Sequence, residues 1–345
     1  MKPESNNSNR DSSYPSFSIV IEWANILLTE KRRTVEMLQQ LSKEIVEISP
    51  NLSSKAEVII VYNSDNFEHS QVEQFVNEQL EPCGSTIDLK IIPAAKLRYY
   101  ELKNYGVQQS HQDIIIFIDS DVIPEDGWLV AMLEPFQNPG TYVLTALHSY
   151  PKSIPEKAFS VVMNWNFESK NGGQIYEIDR FHASLVAFRR KIIEANPFPS
   201  LPLYHGQATN LADRLILQGY KILCQPKSRY QHPAPNGLRH FVVRALCQGY
   251  DMAVSSPRAR KVNEASMAFE STKNQKSFLP FARLDNRWTP RQIFSYLRHK
   301  YRSLHLSPKD TVGTLPIVFS YLSFVYIGIL VSKVKPGLIR GHLSV

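Results

Sequence analysis

Two aspartates, Asp119 and Asp121, stand at the end of an uninterrupted apolar run, Ile114 to Ile118. In extended chain the i and i+2 side chains share a face, so both carboxylates can converge on one ion. Hard oxygen ligands of this kind suit Mg2+ or Mn2+, which commonly complete their shell with substrate phosphates. The bland alternative is a turn, with the same aspartates capping the bend ahead of Pro124 and Gly127. Asp-x-Asp on its own does not decide between the two.

The elements that must position this pair are readable around it. A short β-branched run without polar alternation reads as a strand buried on both faces, as in the middle of a parallel sheet. Its aspartates then emerge at the carboxyl edge, where open α/β sheets bind ligands. Upstream, Phe17 to Ile21, Val58 to Tyr62 and Leu89 to Ile92 read as further strands. Between them lie a helix with Met37, Leu38, Leu41, Ile45 and Val46 at helical spacing, a second with Val72, Phe75, Val76 and Leu80, and a third over Tyr99 to Gln109. Alternating strands and helices predict a Rossmann-like α/β fold with a mostly parallel sheet. No Gly-x-Gly-x-x-Gly lies near the first turn, which disfavours nicotinamide or flavin binding.

Beyond Trp128 the pattern is less regular. Tyr142 to Ala146, Leu185 to Phe188 and Ile222 to Cys224 read as strands, with 147–184 irregular around Trp165 and Gly172-Gly173. Gln207 to Leu217 reads as a helix closed by Gly219, and Leu238 to Gly249 as a basic amphipathic helix. A short basic helix is expected around Ile293 to Leu304.

The 345 residues are 43% hydrophobic and 21% charged, a globular composition. A net charge of +7 and a pI near 9.1 favour an anionic partner. The Lys and Arg residues are dispersed and no nucleic-acid-binding module is visible, so nucleic acid is not the expected partner. Cys83, Cys224 and Cys247 are odd in number and widely spaced, which argues against disulfides or a zinc site and for a reducing compartment. The polar residues 1–15 read as a disordered tail without a secretory signal. Thr311 to Ser332 carries no charge, and its 22 residues would span roughly 33 Å as a helix, enough for a bilayer core of about 30 Å. The denser basic flank precedes it, which places the main body in the cytoplasm. A buried or interfacial helix is the alternative.

In order along the chain, several segments resemble the family 2 glycosyltransferases, whose catalytic domain has the GT-A fold. Val20 to Asn25 sits where the family has Val-Ile-Pro-Thr-Tyr-Asn, and Glu57 to Asp65 where an acidic pair follows the second strand. Lys103-Asn104-Tyr105-Gly106 matches Arg-Asn-x-Gly, and Ile116 to Trp128 is close to the metal strand in its usual form. Val186 to Arg190, Leu211 to Leu215 with Gly219-Tyr220, and His232 follow in the expected order.

The resemblance implies a GT-A domain over 16–250; composition and hydropathy then read as a linker and basic region over 251–310, a transmembrane or membrane-inserted helix over 311–333 and a short tail over 334–345. It implies a nucleotide-sugar donor, UDP-sugar by preference, whose diphosphate is held by a divalent ion on Asp119 and Asp121, with His232 completing the shell. It places the nucleotide base near Glu22, Asn63 and Asp65, and brings Lys103 and Asn104 to the donor phosphates or to the metal carboxylates. A lipid-linked or polysaccharide acceptor and an inverting reaction belong to the same expectation. There is one marked departure. Where the family carries Glu-Asp as the base, this chain has Gln207-Ala208, neither of which takes a proton at neutral pH. Three readings stay open: His205 or Asp213 replaces the base, the acceptor is acidic enough to need none, or the donor is bound without turnover. Asp213 would lie about 140° around the helix from position 208. A nucleotidyltransferase would use similar aspartates, but its glycine- and arginine-rich phosphate loop is not evident.

Overall fold

The computed structural model describes residues 14–163, 165, 167–169, 171–254 and 290–340. Strands β1 (Phe17–Glu22), β2 (Ala56–Asn63), β3 (Ile87–Ala94) and β4 (Ile114–Asp119) are parallel in the order β3-β2-β1-β4. Every residue of β1 and β4 is buried. Alternate residues serve different cores: Ile19, Ile21, Ile116 and Ile118 face one, and Val20, Ile115 and Phe117 face the other. A run with no polar alternation folds this way because neither face of the sheet meets water.

Helices α1 (Lys31–Ile48), α2 (His69–Leu80) and α3 (Tyr99–Gln108) connect these strands. A Cβ on Gly106 would meet Val20 Cγ1 at 2.3 Å, so α3 lies tight against β1. That close seat fixes the height at which α3 presents Tyr99 and Lys103 to the sheet edge.

Beyond β4 come the short β5 (Ile123–Pro124), α4 (Trp128–Leu133), β6 (Val143–His148), α5 (Ile154–Val162), β7 (Tyr176–Ile178) and β8 (Leu185–Arg189). Then follow α6 (Arg190–Ala195), α7 (Gln207–Leu217), β9 (Ile222–Gln231) and α8 (Gly237–Val254). Strand β8 runs antiparallel to both β4 and β6, and β9 lies parallel to β6. Strand β9 is longer than the expected Ile222 to Cys224. Its register against β6 slips between Ala146 and Leu147, opposite Pro226, which cannot donate to the ladder, and pairing resumes at Arg229.

The segment expected to be irregular contains α5. Ser153 and Glu156 form a reciprocal capping box with Pro155 in the first turn, a helix-start signature present in the sequence. At the amino end Tyr14 bridges Leu52, inside the expected 1–15 tail; residues 1–13 lie outside the described residues. Helix α8 runs across the expected domain boundary at 250.

Helices α9 (Pro290–Ser303), α10 (Pro308–Val334) and α11 (Gly337–Arg340) complete the described chain. Helix α10 packs on α8 and α5, burying Thr314, Val318, Tyr321, Val325, Gly328 and Ser332. A Cβ on Gly249 would strike the Val325 carbonyl at 2.1 Å, and one on Gly328 the Leu246 carbonyl at 2.4 Å. The two helices therefore cross backbone to backbone, which only glycine permits. The opposite face exposes Phe319, Tyr326, Ile327 and Leu330. Among the described residues, α10 is the one helix long and apolar enough to cross a membrane, with a mean hydropathy of 2.0.

Candidate active site

Strands β1 and β4 end side by side with Glu22 and Asp119 in register. At this edge strand order reverses, and Glu22, Asp119 and Asp121 gather there, all buried. Glu22 closes the turn after β1: Oε2 accepts the Ala24 N–H at 2.7 Å and the Asn25 N–H at 3.2 Å, and Oε1 accepts the Asn25 side-chain amide at 2.9 Å. Burial, and then the Asp119 charge, push its carboxyl well above the usual range.

Burial works against ionisation of Asp119 too, but Lys103 overcomes it and holds that carboxyl below its ordinary value. Lys103 Nζ donates to Asp119 Oδ1 at 2.7 Å and to the Ala183 carbonyl at 3.2 Å. The Tyr99 hydroxyl donates to the same Oδ1 at 2.5 Å. Lys103 is wholly buried, not a solvated helix charge, and its ammonium is held against the Asp119 carboxylate. Tyr99 was not singled out from the sequence. One turn before Lys103, it shares that residue's helix face, so the lysine was the available signal.

Asp121 is left with less. Burial and the neighbouring Asp119 push its pKa up to about 7, with Arg244 and Arg33 pulling the other way. Its Oδ1 is buried with no hydrogen-bond partner. Arg33 of α1 does not fill that need, because its guanidinium donates to the main-chain carbonyls of Asp121 at 3.0 Å and Gln231 at 3.3 Å. A buried acceptor without a donor is costly, and a hard cation would relieve it. The donor set thus fits Mg2+ or Mn2+ on Asp119 and Asp121. Among the described residues no three His, Cys, Asp or Glu side chains are arranged to hold a metal ion, so His232 is not assembled with the aspartates into a ligand cluster. It lies within electrostatic reach of Asp119. Its Nδ1 donates to the Pro233 carbonyl at 3.0 Å, which leaves Nε2 as the acceptor. Burial, and then Arg244, lower its pKa to about 3, so the ring is neutral.

His205 stands at the head of α7, its ring against Tyr204 with centroids 4.0 Å apart. Desolvation, and then the Arg244 and His232 charges, lower its pKa below the usual imidazole value, although the residue remains exposed at the surface. Asp251 of α8 braces this corner by accepting the Tyr204 N–H at 2.8 Å and the His205 N–H at 2.7 Å. Gln207 donates to the Leu201 and Leu203 carbonyls and so ties down the same loop.

Other expected residues have different duties. Asp213 is ion-paired with Arg180 and does not join the aspartates. Asn104 anchors a loop: its side chain donates to the Phe198 carbonyl at 2.8 Å and accepts the Phe198 N–H at 2.9 Å. Asn63 accepts the Asp65 N–H at 2.9 Å, closing a turn at the end of β2 with Asp65 exposed.

The sheet with its reversed order, its two cores and its acidic carboxyl edge is the GT-A fold. A mannosyltransferase, PcManGT from Pyrobaculum calidifontis in complex with GDP-Man and Mn2+, has a similar fold, with a TM-score of 0.50 at 12% identity over 96% of this chain and 86% of that one. GalNAc-T7 with UDP, GalNAc and Mn2+ gives a TM-score of 0.45 at 11% identity, over 65% of this chain and 44% of that one. No curated protein matches the sequence. Residues 51–196 match the model described as glycosyl transferase family 2.

Proposed function

We propose that this glycosyltransferase moves a sugar, with Mg2+ or Mn2+, from a nucleotide-diphosphate donor to a lipid-linked or polysaccharide acceptor at a membrane, with inversion. The observation that carries this is the unsatisfied Asp121 Oδ1 beside Asp119 at the carboxyl edge of the sheet. Asp119, oriented by Lys103 and Tyr99, and Asp121 would hold the ion. When bound, that ion supplies charge neutralisation to the departing diphosphate. The nucleotide base lies in the crevice past β1 and β2, near Glu22, Asn63 and Asp65. UDP is the expected nucleotide.

His205 takes the proton of the acceptor hydroxyl. Its lowered pKa keeps the ring neutral at pH 7, and Asp251 fixes its backbone. A positioned base contributes roughly 10²- to 10⁴-fold in rate. Exposed apolar residues on α10 attach the protein to the membrane, with the catalytic domain on the cytoplasmic side. A second reading, donor binding without turnover, has specific support in Gln207-Ala208, which stand where the family carries its Glu-Asp pair: Ala208 falls at the base position, and Gln207 is engaged by carbonyls.

Titration calorimetry with UDP, GDP and their sugars, with and without Mn2+, paired with a product assay, tests both readings. Metal-dependent binding and release of nucleoside diphosphate, lost in Asp121→Asn, is the expected result. Binding with no product from any donor favours the silent reading, and unchanged turnover in Asp121→Asn rejects the metal assignment. Deletion of 308–345 should release the protein from membranes; a truncated protein that still pellets with them rules out attachment through α10.

A further inference from the structure

Helix α8 brings a cation to the place where the carboxylates of the sheet end. Arg244 is 8% exposed, and its guanidinium lies over the Phe159 ring, 4.8 Å from the centroid. Its Nε has no hydrogen-bond partner, and among the described residues no carboxylate forms an ion pair with it. A ring face offsets only part of the cost of burying a guanidinium.

The carboxylate that feels this charge is Asp121, whose Oδ1 is also buried and unpartnered. The two groups have opposite signs and lie within electrostatic reach of each other, yet form no ion pair. A direct ion pair would have satisfied both. What satisfies both across a gap is a ligand with a cation at the carboxylate and an anion at the guanidinium. A metal-bound phosphate has that polarity. The groups around Arg244 do not cancel its charge: Tyr204, His205, His232, His240 and Tyr321 all sense it, and none is an anion.

We propose that Arg244 is a phosphate-binding residue of the cleft, holding an oxygen of the phosphate group whose metal is carried by Asp119 and Asp121. The planar fork of donors matches phosphate geometry better than an ammonium does. This inference rests on the glycosyl-transfer reading. Two sources offer the same chemistry: the diphosphate of the donor, and the phosphate of a lipid-phosphate acceptor.

The test uses the full-length protein with Mn2+ and compares the unaltered chain with Arg244→Gln and Arg244→Lys. One arm measures affinity for inorganic pyrophosphate, UDP and GDP. The other measures binding to phosphatidylcholine vesicles carrying a polyprenyl phosphate, against vesicles carrying the uncharged polyprenol. Loss of a charge-assisted contact to phosphate should weaken binding by about 10- to 100-fold in Arg244→Gln. Loss in the first arm assigns Arg244 to the donor diphosphate, and loss in the second assigns it to the acceptor. Arg244→Lys keeps the charge without the fork and should fall between. It decides the matter should the Gln variant fail to fold, since undiminished affinity in Arg244→Lys then counts as refutation. Unchanged affinity of a folded Arg244→Gln in both arms overturns the assignment and leaves glycosyl transfer standing. No binding of any diphosphate by the unaltered protein overturns both.

Discussion

The two ends of the same sheet bury carboxylates in opposite ways. At the amino end, Glu57 accepts from Ser18, from the Lys90 ammonium and from the His111 N–H, and is 1% exposed. Burial alone would raise its pKa, but Lys90 and Ser18 bring it down to about 2. At the carboxyl end Glu22, Asp119 and Asp121 crowd together with one lysine among them, and Asp121 is pushed up to about 7. One sheet therefore holds, at opposite ends, one acid whose needs are met within the chain and one whose needs are not. The first serves stability, and on the proposed function the second serves a ligand.

Substitution should separate them. Asp121→Asn carries the largest expected effect, a fall in metal-dependent transfer of roughly 10²- to 10³-fold or more, with a thermal midpoint equal to or above that of the unaltered protein. A variant that melts lower and still turns over would erase the distinction. Glu57→Gln should do the reverse: a loss of about 1–3 kcal/mol in chemical denaturation, with nucleotide affinity and turnover unchanged.

The pH dependence sharpens the contrast. Glu57 has a folded pKa below its ordinary 4.5, so its contribution is present above that value and lost as pH falls through about 2. Asp121 has a folded pKa above its ordinary 3.8, so its contribution is complete below that value and lost as pH rises through about 7. Melting curves in EDTA should therefore show Asp121→Asn gaining on the unaltered protein between pH 4 and 8, with the gain removed by saturating Mn2+. A gain that does not change with pH would mean that Asp121 is already ionised without metal. The smallest effect is expected for Asn104→Ala, a loss of about 1 kcal/mol from the Phe198 anchor with Mn2+ affinity intact. Weakened metal binding there would return Asn104 to the site.

The central strand and its aspartates were legible because a run such as Ile114 to Ile118 has few alternatives to a doubly buried strand. Helix α7 was legible for a similar reason, its apolar period closed by Gly219. Local rules could also have found α5, since Ser153 and Glu156 announce its start. Partners far apart in sequence were not legible. A helical wheel places Asp213 but says nothing of Arg180, 33 residues away, which claims it. Asn104 carries a family-like motif, yet the atoms that occupy it belong to Phe198. Arg244 read as one charge on a basic helix, because only the folded chain brings it opposite Asp121.

The crossing at Gly249 and Gly328 has a mechanical side. Backbones in contact leave no slack between the reaction chamber and whatever holds α10. With α10 seated in a bilayer, the chamber mouth would ride at one altitude and one tilt above the lipid. Acceptors would then be met by lateral drift in two dimensions, and a substrate's length, more than any reach of the protein, would decide whether it is glycosylated.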